Sequence, residues 1–113
     1  MFKQHNIIDP IYRAHLSLFI GNKEEIKKHL IKVGIPEEKI NHINTGKFLF
    51  NDNQSIIILP KYNKYTLIHE VIHYAFAVMY GRGIPINYEN DETITYYVEM
   101  TLKNIDKGLL KKT

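Results

Sequence analysis

Residues 63–81 read NKYTLIHEVIHYAFAVMYG, and the apolar residues in this run recur at the three- and four-residue spacing of an α-helix. Gly81, Gly83 and Pro85 follow the run, and glycine and proline are the residue types that commonly end helices. We therefore predict a helix over residues 63–80.

The centre of this helix holds an HExxH motif, HEVIH at residues 69–73. Residues four apart on a helix lie about 40° apart around the axis, so the imidazoles of His69 and His73 can bind one metal ion. Glu70 points about 100° away from His69, which places it outside the ligand set but within reach of a water molecule as a general base. Because apolar residues flank the motif on both sides, we expect the two histidines to face the protein interior.

A catalytic zinc site takes three protein ligands and keeps one position open. The chain has no cysteine, so the third ligand must be a histidine or a carboxylate. No third histidine follows at short spacing, and the acidic candidates downstream are Glu89, Asp91, Glu92 and Glu99. The alternative is that the two histidines are ordinary hydrogen-bonded residues with no metal role.

The rest of the chain predicts a small α+β domain. The predicted elements are a strand over 10–20, a helix over 23–33, strands over 47–50 and 55–59 joined by a tight turn over 51–54, the helix over 63–80, and a last helix over 90–107 that Gly108 ends. The order β-α-β-β-α-α predicts a three-stranded sheet packed on the HExxH helix. With 113 residues, the chain is expected to form one domain over 1–113.

The HExxH helix, followed by a short loop and a helix that opens with acidic residues, resembles the zincin metallopeptidases. In particular it resembles the gluzincin arrangement of the small minimal zincins that phages and prophages encode. The residues that carry the resemblance are His69, Glu70, His73 and the run DETITY at 91–96, within a similar region of roughly 56–102. The resemblance implies a small zincin-like fold and a zinc-dependent hydrolase.

The resemblance also implies a role for each matching residue. His69, His73 and Glu92 would bind one Zn²⁺, and Glu70 would be the catalytic base in hydrolysis of a peptide or protein substrate. Asp91 remains an alternative third ligand, because the apolar stripe of the last helix points away from Glu92 and lies closer to Asp91. The longer carboxylate and the family pattern favour Glu92.

Two further expectations concern the substrate. Tyr96 lies one helical turn after Glu92, and we predict it as a catalytic residue whose hydroxyl donates to an oxyanion or to a carboxylate that supports the metal ligands. It could instead be an aromatic packing residue. The strand over 56–59 is expected to form the sheet edge along which an extended peptide lies.

Composition limits the other functions. The net charge is only +3, from 15 basic and 12 acidic residues. A nucleic-acid-binding protein normally has a denser basic patch than this excess provides. No run approaches the roughly 18 apolar residues of a membrane span, and no signal peptide is readable, so we expect a cytoplasmic protein. The alternative function is a phage protein that binds zinc or a host factor on a zincin scaffold without catalysis. The sequence does not define the substrate, the oligomeric state or the metal, since the same ligands suit Fe²⁺, Mn²⁺ or Ni²⁺.

Overall fold

The structure is a computed structural model of the chain and describes residues 1–51 and 54–110. Its strands form one mixed sheet of four strands. The strands are β1 (Phe2–Ile8), β2 (His15–Gly21), β3 (Lys47–Asn51) and β4 (Gln54–Leu59). Their spatial order is β1-β2-β4-β3, with β2 and β4 parallel and the other two pairs antiparallel. The predicted α+β class is confirmed, but the sheet has four strands and not three.

The strand that the sequence does not predict is β1. Its central residues Gln4, His5 and Asn6 are polar, so the apolar alternation that identifies a half-buried strand is missing. β1 is an edge strand, and its backbone pairs along its whole length with β2, from Phe2 opposite Gly21 to Ile8 opposite His15. Backbone pairing with a buried neighbour, which local sequence does not reveal, holds this strand in the sheet.

The second strand begins later than predicted, at His15, because a turn occupies the residues before it. The carboxylate of Asp9 accepts hydrogen bonds of 2.6–3.0 Å from three backbone amides, those of Ile11, Tyr12 and Ala14. Arg13 has a φ of +56°, in the left-handed region that a strand cannot contain. The alternation over residues 10–14 therefore belongs to a turn organised by Asp9, not to the strand.

The helices are α1 (Lys23–Lys32), α2 (Lys64–Gly81) and α3 (Asp91–Leu110). α2 matches the predicted helix, and its N-terminus is capped by Asn63, whose side chain accepts hydrogen bonds from two backbone amides. The prediction that Gly108 ends the last helix is wrong, because α3 continues and Leu109 packs against the core. None of the helices in the described ranges combines the length and the apolar character that crossing a membrane requires.

Each face of the sheet packs against its own hydrophobic cluster. Ile56 and Ile58 of β4 face the cluster that includes α1, whereas Ile57 and Leu59 face the cluster that includes α2 and α3. Burial on both faces is typical of a central strand. The prediction that residues 56–59 form the sheet edge is therefore wrong: β4 lies between β2 and β3, and β3 is the edge strand next to α2.

The predicted turn between β3 and β4 is described only at its ends. Asn51 pairs with Gln54 in the antiparallel ladder, as a tight connection requires. The two central residues of the predicted turn, 52 and 53, lie outside the described residues.

A buried chain of polar groups joins α2, α3 and the turn before β2. The Tyr97 hydroxyl donates to Asp9 Oδ2 at 2.7 Å and lies 2.9 Å from the Tyr74 hydroxyl. Burial raises the pKa of Tyr74 to about 12 and also raises the pKa of Tyr97. Burial opposes ionisation of Asp9, but hydrogen bonds from Tyr97 and the turn amides outweigh it and lower the pKa of this carboxyl. At neutral pH the network therefore has an ionised Asp9 at one end and a neutral Tyr74 at the other, with the neutral Tyr97 between them.

Candidate metal centre

α2 brings the imidazoles of His69 and His73 together at its middle. Their Nε2 atoms are 3.3 Å apart, and the rings meet edge to face with centroids 4.8 Å apart. Two ligands of one tetrahedral zinc ion, each at about 2.0–2.1 Å, are separated by about 3.3 Å. The distance also suits a hydrogen bond between the rings when no metal is bound, so the pair is arranged for joint coordination without needing to move.

Both histidines are exposed, and the expectation that they face the protein interior is wrong. The reason is that α2 is apolar on its solvent side as well as on its buried side. Four large apolar residues share the exposed side with the histidines: Tyr65, Ile72, Phe76 and Tyr80. Apolar residues next to the motif therefore do not distinguish the inner face of this helix from the outer one.

Glu70 is the buried member of the group, with 7% of its surface exposed. One of its carboxylate oxygens and the two imidazole nitrogens all lie within 4.8 Å of one another. Within residues 1–51 and 54–110, the carboxylate has no hydrogen-bond or ion-pair partner. Neither carboxylate oxygen is fully enclosed, so a ligand or a water molecule can reach the group.

The carboxylate of Glu70 packs against a glycine that the sequence does not single out. Gly46 directly precedes β3, and a Cβ atom placed on it would lie 3.2 Å from Glu70 Oε2. The same Cβ would lie 2.6 Å from Cγ2 of Thr66 and 3.2 Å from Cδ2 of Leu59. A glycine next to a strand can signal a close approach of the backbone, but nothing local shows which group it approaches.

The acidic residues of α3 stand apart from this group. Asp91 and Glu92 are exposed in the first turn of the helix, and Glu92 lines a shallow depression with Thr95, Tyr96 and Glu99. Among the residues that the structure describes, His69, Glu70 and His73 form the group that could hold a metal, and neither α3 carboxylate belongs to it. The third-ligand role of Glu92, the alternative Asp91, and the catalytic role of Tyr96, which is 66% exposed, stay predictions.

The segment of α2 that bears the imidazoles carries little charge. From Tyr65 to Gly81 the sequence contains no lysine, arginine or aspartate, and its one glutamate is the buried Glu70. Apolar residues around a metal site tune its ligands and any bound water. The candidate centre thus combines two imidazoles and one carboxylate on a helix segment with no other acidic side chain and no lysine or arginine.

This donor set fits a zinc ion in part. Imidazole nitrogens and a carboxylate oxygen are the ligand types of catalytic zinc sites, and two imidazoles have the spacing that such a site requires. The third protein ligand is not supplied by the group itself, because Glu70 is suited to the role of a base. No protein-family model, curated protein or solved structure matches this chain.

Proposed function

We propose that the protein is a zinc-dependent metallopeptidase with a zincin-like fold and its active site on α2. The observation that carries the proposal is the combination of a glutamate with little exposed surface, whose carboxylate has no partner among the described residues, and two exposed imidazoles beside it. Glu70 is 7% exposed as a residue, and one of its carboxylate oxygens lies within 4.8 Å of the imidazole nitrogens, whose Nε2 atoms are 3.3 Å apart. A carboxylate that water can reach and that no protein donor engages is able to act as a base.

His69 and His73 would hold the ion, with Glu92, or alternatively Asp91, as the third ligand. A bound zinc ion would supply Lewis-acid polarisation of the scissile carbonyl and would lower the pKa of water. Glu70 accepts the proton of the water whose oxygen adds to the carbonyl carbon, and donates it to the amine nitrogen as the C–N bond breaks. The Tyr96 hydroxyl would donate a hydrogen bond to the oxyanion that develops during the addition.

The substrate would lie along β3. This strand is an edge of the sheet, packs against α2, and begins directly after Gly46, which contacts Glu70. An extended peptide can add to the outer side of such a strand through backbone hydrogen bonds. The exposed apolar side chains that α2 carries beside the histidines, such as Ile72 and Phe76, favour apolar peptide side chains on either side of the scissile bond.

The direct test replaces Glu70 with glutamine, which keeps the shape of the side chain but removes the base. We expect Glu70→Gln to bind zinc as the unchanged protein does, while hydrolysis of a peptide library falls by about 10²–10⁴-fold. Mass spectrometry of the library measures cleavage, and elemental analysis measures zinc. Glu38→Gln, an exposed glutamate in the short 3₁₀ turn after α1, is the matched control and should keep both properties. Full hydrolysis by Glu70→Gln would remove Glu70 from this role.

A second candidate function is zinc binding without catalysis, as in a phage protein that binds a host factor. The observation that favours it is that the metal-capable group in the described residues contains two exposed imidazoles and no carboxylate from α3. A partner protein that covers the apolar side of α2 could then complete the ligand set. One zinc ion per chain with no cleavage of any library peptide would favour this function over the peptidase.

A further inference from the structure

The position of the Glu70 carboxylate is set by packing, since hydrogen bonds do not fix it. In the described part of the chain no side-chain or backbone donor reaches this carboxylate. The carboxylate lies next to the backbone of Gly46. A Cβ atom added to Gly46 would be 3.2 Å from Oε2 of Glu70. Few real Cβ contacts are that short, so any side chain at position 46 competes with the carboxylate for space.

The other two neighbours of Gly46 cannot move away easily. Leu59 is fully buried at the end of a central strand, and Thr66 is a β-branched residue in the first turns of α2. A Cβ at position 46 would lie 2.6 Å from the Thr66 methyl group and 3.2 Å from the Leu59 side chain. The Thr66 methyl group must shift before a Cβ can fit, whereas the Glu70 carboxylate, at the end of a flexible side chain, would be displaced by a few tenths of an ångström.

We propose that Gly46 is a positioning residue, whose missing side chain fixes the Glu70 carboxylate at its place beside His69 and His73. The inference rests on the proposed function in one respect: the carboxylate matters because a metal ion is bound next to it. Gly46 itself contacts neither substrate nor metal. Its effect is exerted through Glu70, as supporting residues around a metal site commonly act.

Two substitutions separate the approach to the Glu70 carboxylate from the approach to the Thr66 methyl group. Gly46→Ala alone introduces both approaches at once. Adding Thr66→Ser removes the methyl group that would lie 2.6 Å away but leaves the 3.2 Å approach to Oε2. The double variant therefore keeps its fold while displacing the carboxylate. Gly81→Ala is the control, because an added Cβ at that helix position has no neighbour within 4 Å.

The first measurement is the visible absorption spectrum of the protein loaded with Co²⁺ in place of zinc. A carboxylate outside the ligand set would act on the metal through the water molecule that it holds there, so moving the carboxylate should alter the coordination of that water. We therefore expect Gly46→Ala/Thr66→Ser to shift the bands, while Thr66→Ser alone and Gly81→Ala leave them unchanged. In a Glu70→Ala background, adding the same pair of substitutions should produce no further shift. A merely structural role for Gly46 would not move the spectrum or depend on Glu70. Identical spectra for the double variant and the unchanged protein would overturn the proposal.

The second measurement needs no metal. Thermal unfolding of the metal-free protein should show that Gly46→Ala/Thr66→Ser lowers Tm by about 5 °C relative to Thr66→Ser. In the Glu70→Ala background, adding Gly46→Ala to Thr66→Ser should lower Tm by less than half as much, because the carboxylate that the new Cβ approaches is absent. Equal losses in the two backgrounds would contradict the proposed contact. Failure of the unchanged protein to bind Co²⁺ would count against the proposed function, while this metal-free comparison still decides whether Gly46 positions Glu70.

Discussion

At the scale of single residues, Glu70 is an acidic side chain with little exposed surface, beside residues of the hydrophobic core. The side chain is a buried acid in a position where its neighbours on the helix, Leu67 and Val71, belong to the apolar core. Glu70 keeps little exposed surface, and no donor in the described residues compensates for the water contacts that its side chain gives up on folding. A polar side chain placed in this way at an apolar position contributes less to stability than an apolar side chain of similar volume would.

The apolar surroundings of Glu70 predict that an apolar side chain at position 70 stabilises the metal-free protein. We expect Glu70→Met to raise the free energy of unfolding by about 1–3 kcal/mol at pH 7, because it removes a buried charge at similar volume. Urea unfolding followed by circular dichroism measures the change. Glu38→Met, at an exposed position, should change it by less than about 0.5 kcal/mol. A loss of stability in Glu70→Met would show that the carboxylate is satisfied in the folded protein.

The sequence predicts the residues of the site better than their surroundings. The approach of His69 and His73 follows from their spacing on one helix, which is a local property. Their exposure does not follow, because α2 is apolar on both sides and the sequence cannot tell which side the sheet covers. The contact between Gly46 and Glu70 joins two elements distant in the chain and requires the packing of β3 against α2.

At the scale of elements, the network of Asp9, Tyr97 and Tyr74 joins α2 and α3 to the turn before β2. Tyr74 directly follows His73 in the chain and points to the buried side of α2. Its hydroxyl meets that of Tyr97, which in turn donates to Asp9. The orientation of the helix that bears the histidines is therefore linked to a charged group in a distant turn.

This network predicts acid sensitivity. The pKa of Asp9 is lower in the folded protein than its ordinary value of 3.8, so its contribution to stability is complete above about pH 4 and is lost as the pH falls through the folded-state pKa. We expect Asp9→Asn to cost about 1–3 kcal/mol at pH 7 and progressively less below pH 4. Urea unfolding across this pH range measures the difference. A difference that does not depend on pH would contradict the assignment.

The elements themselves divide into those with local signals and those without. α2 and the strands β3 and β4 were predictable from apolar periodicity, and the structure confirms them nearly to the residue. β1 is held by pairing with β2, and the turn before β2 is held by the Asp9 carboxylate. β1 has no apolar alternation, which explains why the sequence predicts three strands, whereas the alternation over residues 10–14 belongs to the turn and explains the late start of β2.

At the scale of the whole molecule, the two hydrophobic clusters share one sheet. Successive residues of β2 and β4 alternate between the cluster that includes α1 and the cluster that includes α2 and α3. Loss of either cluster would expose one face of both central strands. The two sides of the sheet are thus expected to unfold together.

Substitutions on opposite sides of the sheet test this cooperativity. Leu30→Ala in α1 and Leu67→Ala in α2 each remove a side chain that is 1% exposed, and each should cost about 2–5 kcal/mol. Both should shift one common transition, measured by far-ultraviolet circular dichroism and by tyrosine absorbance. Two separate transitions in either variant would show that the α1 side folds independently of the side that bears the histidines.

The central claim, that the exposed histidine pair of α2 binds a zinc ion, is tested most directly by titrating metal-free protein with zinc in a calorimeter. We expect one zinc ion per chain, and we expect binding to be lost in the double variant His69→Ala/His73→Ala. His42→Ala, which removes an exposed histidine far from α2 in the chain, should bind zinc normally. Absence of zinc binding in the unchanged protein, or equal binding in the double variant, would contradict the account.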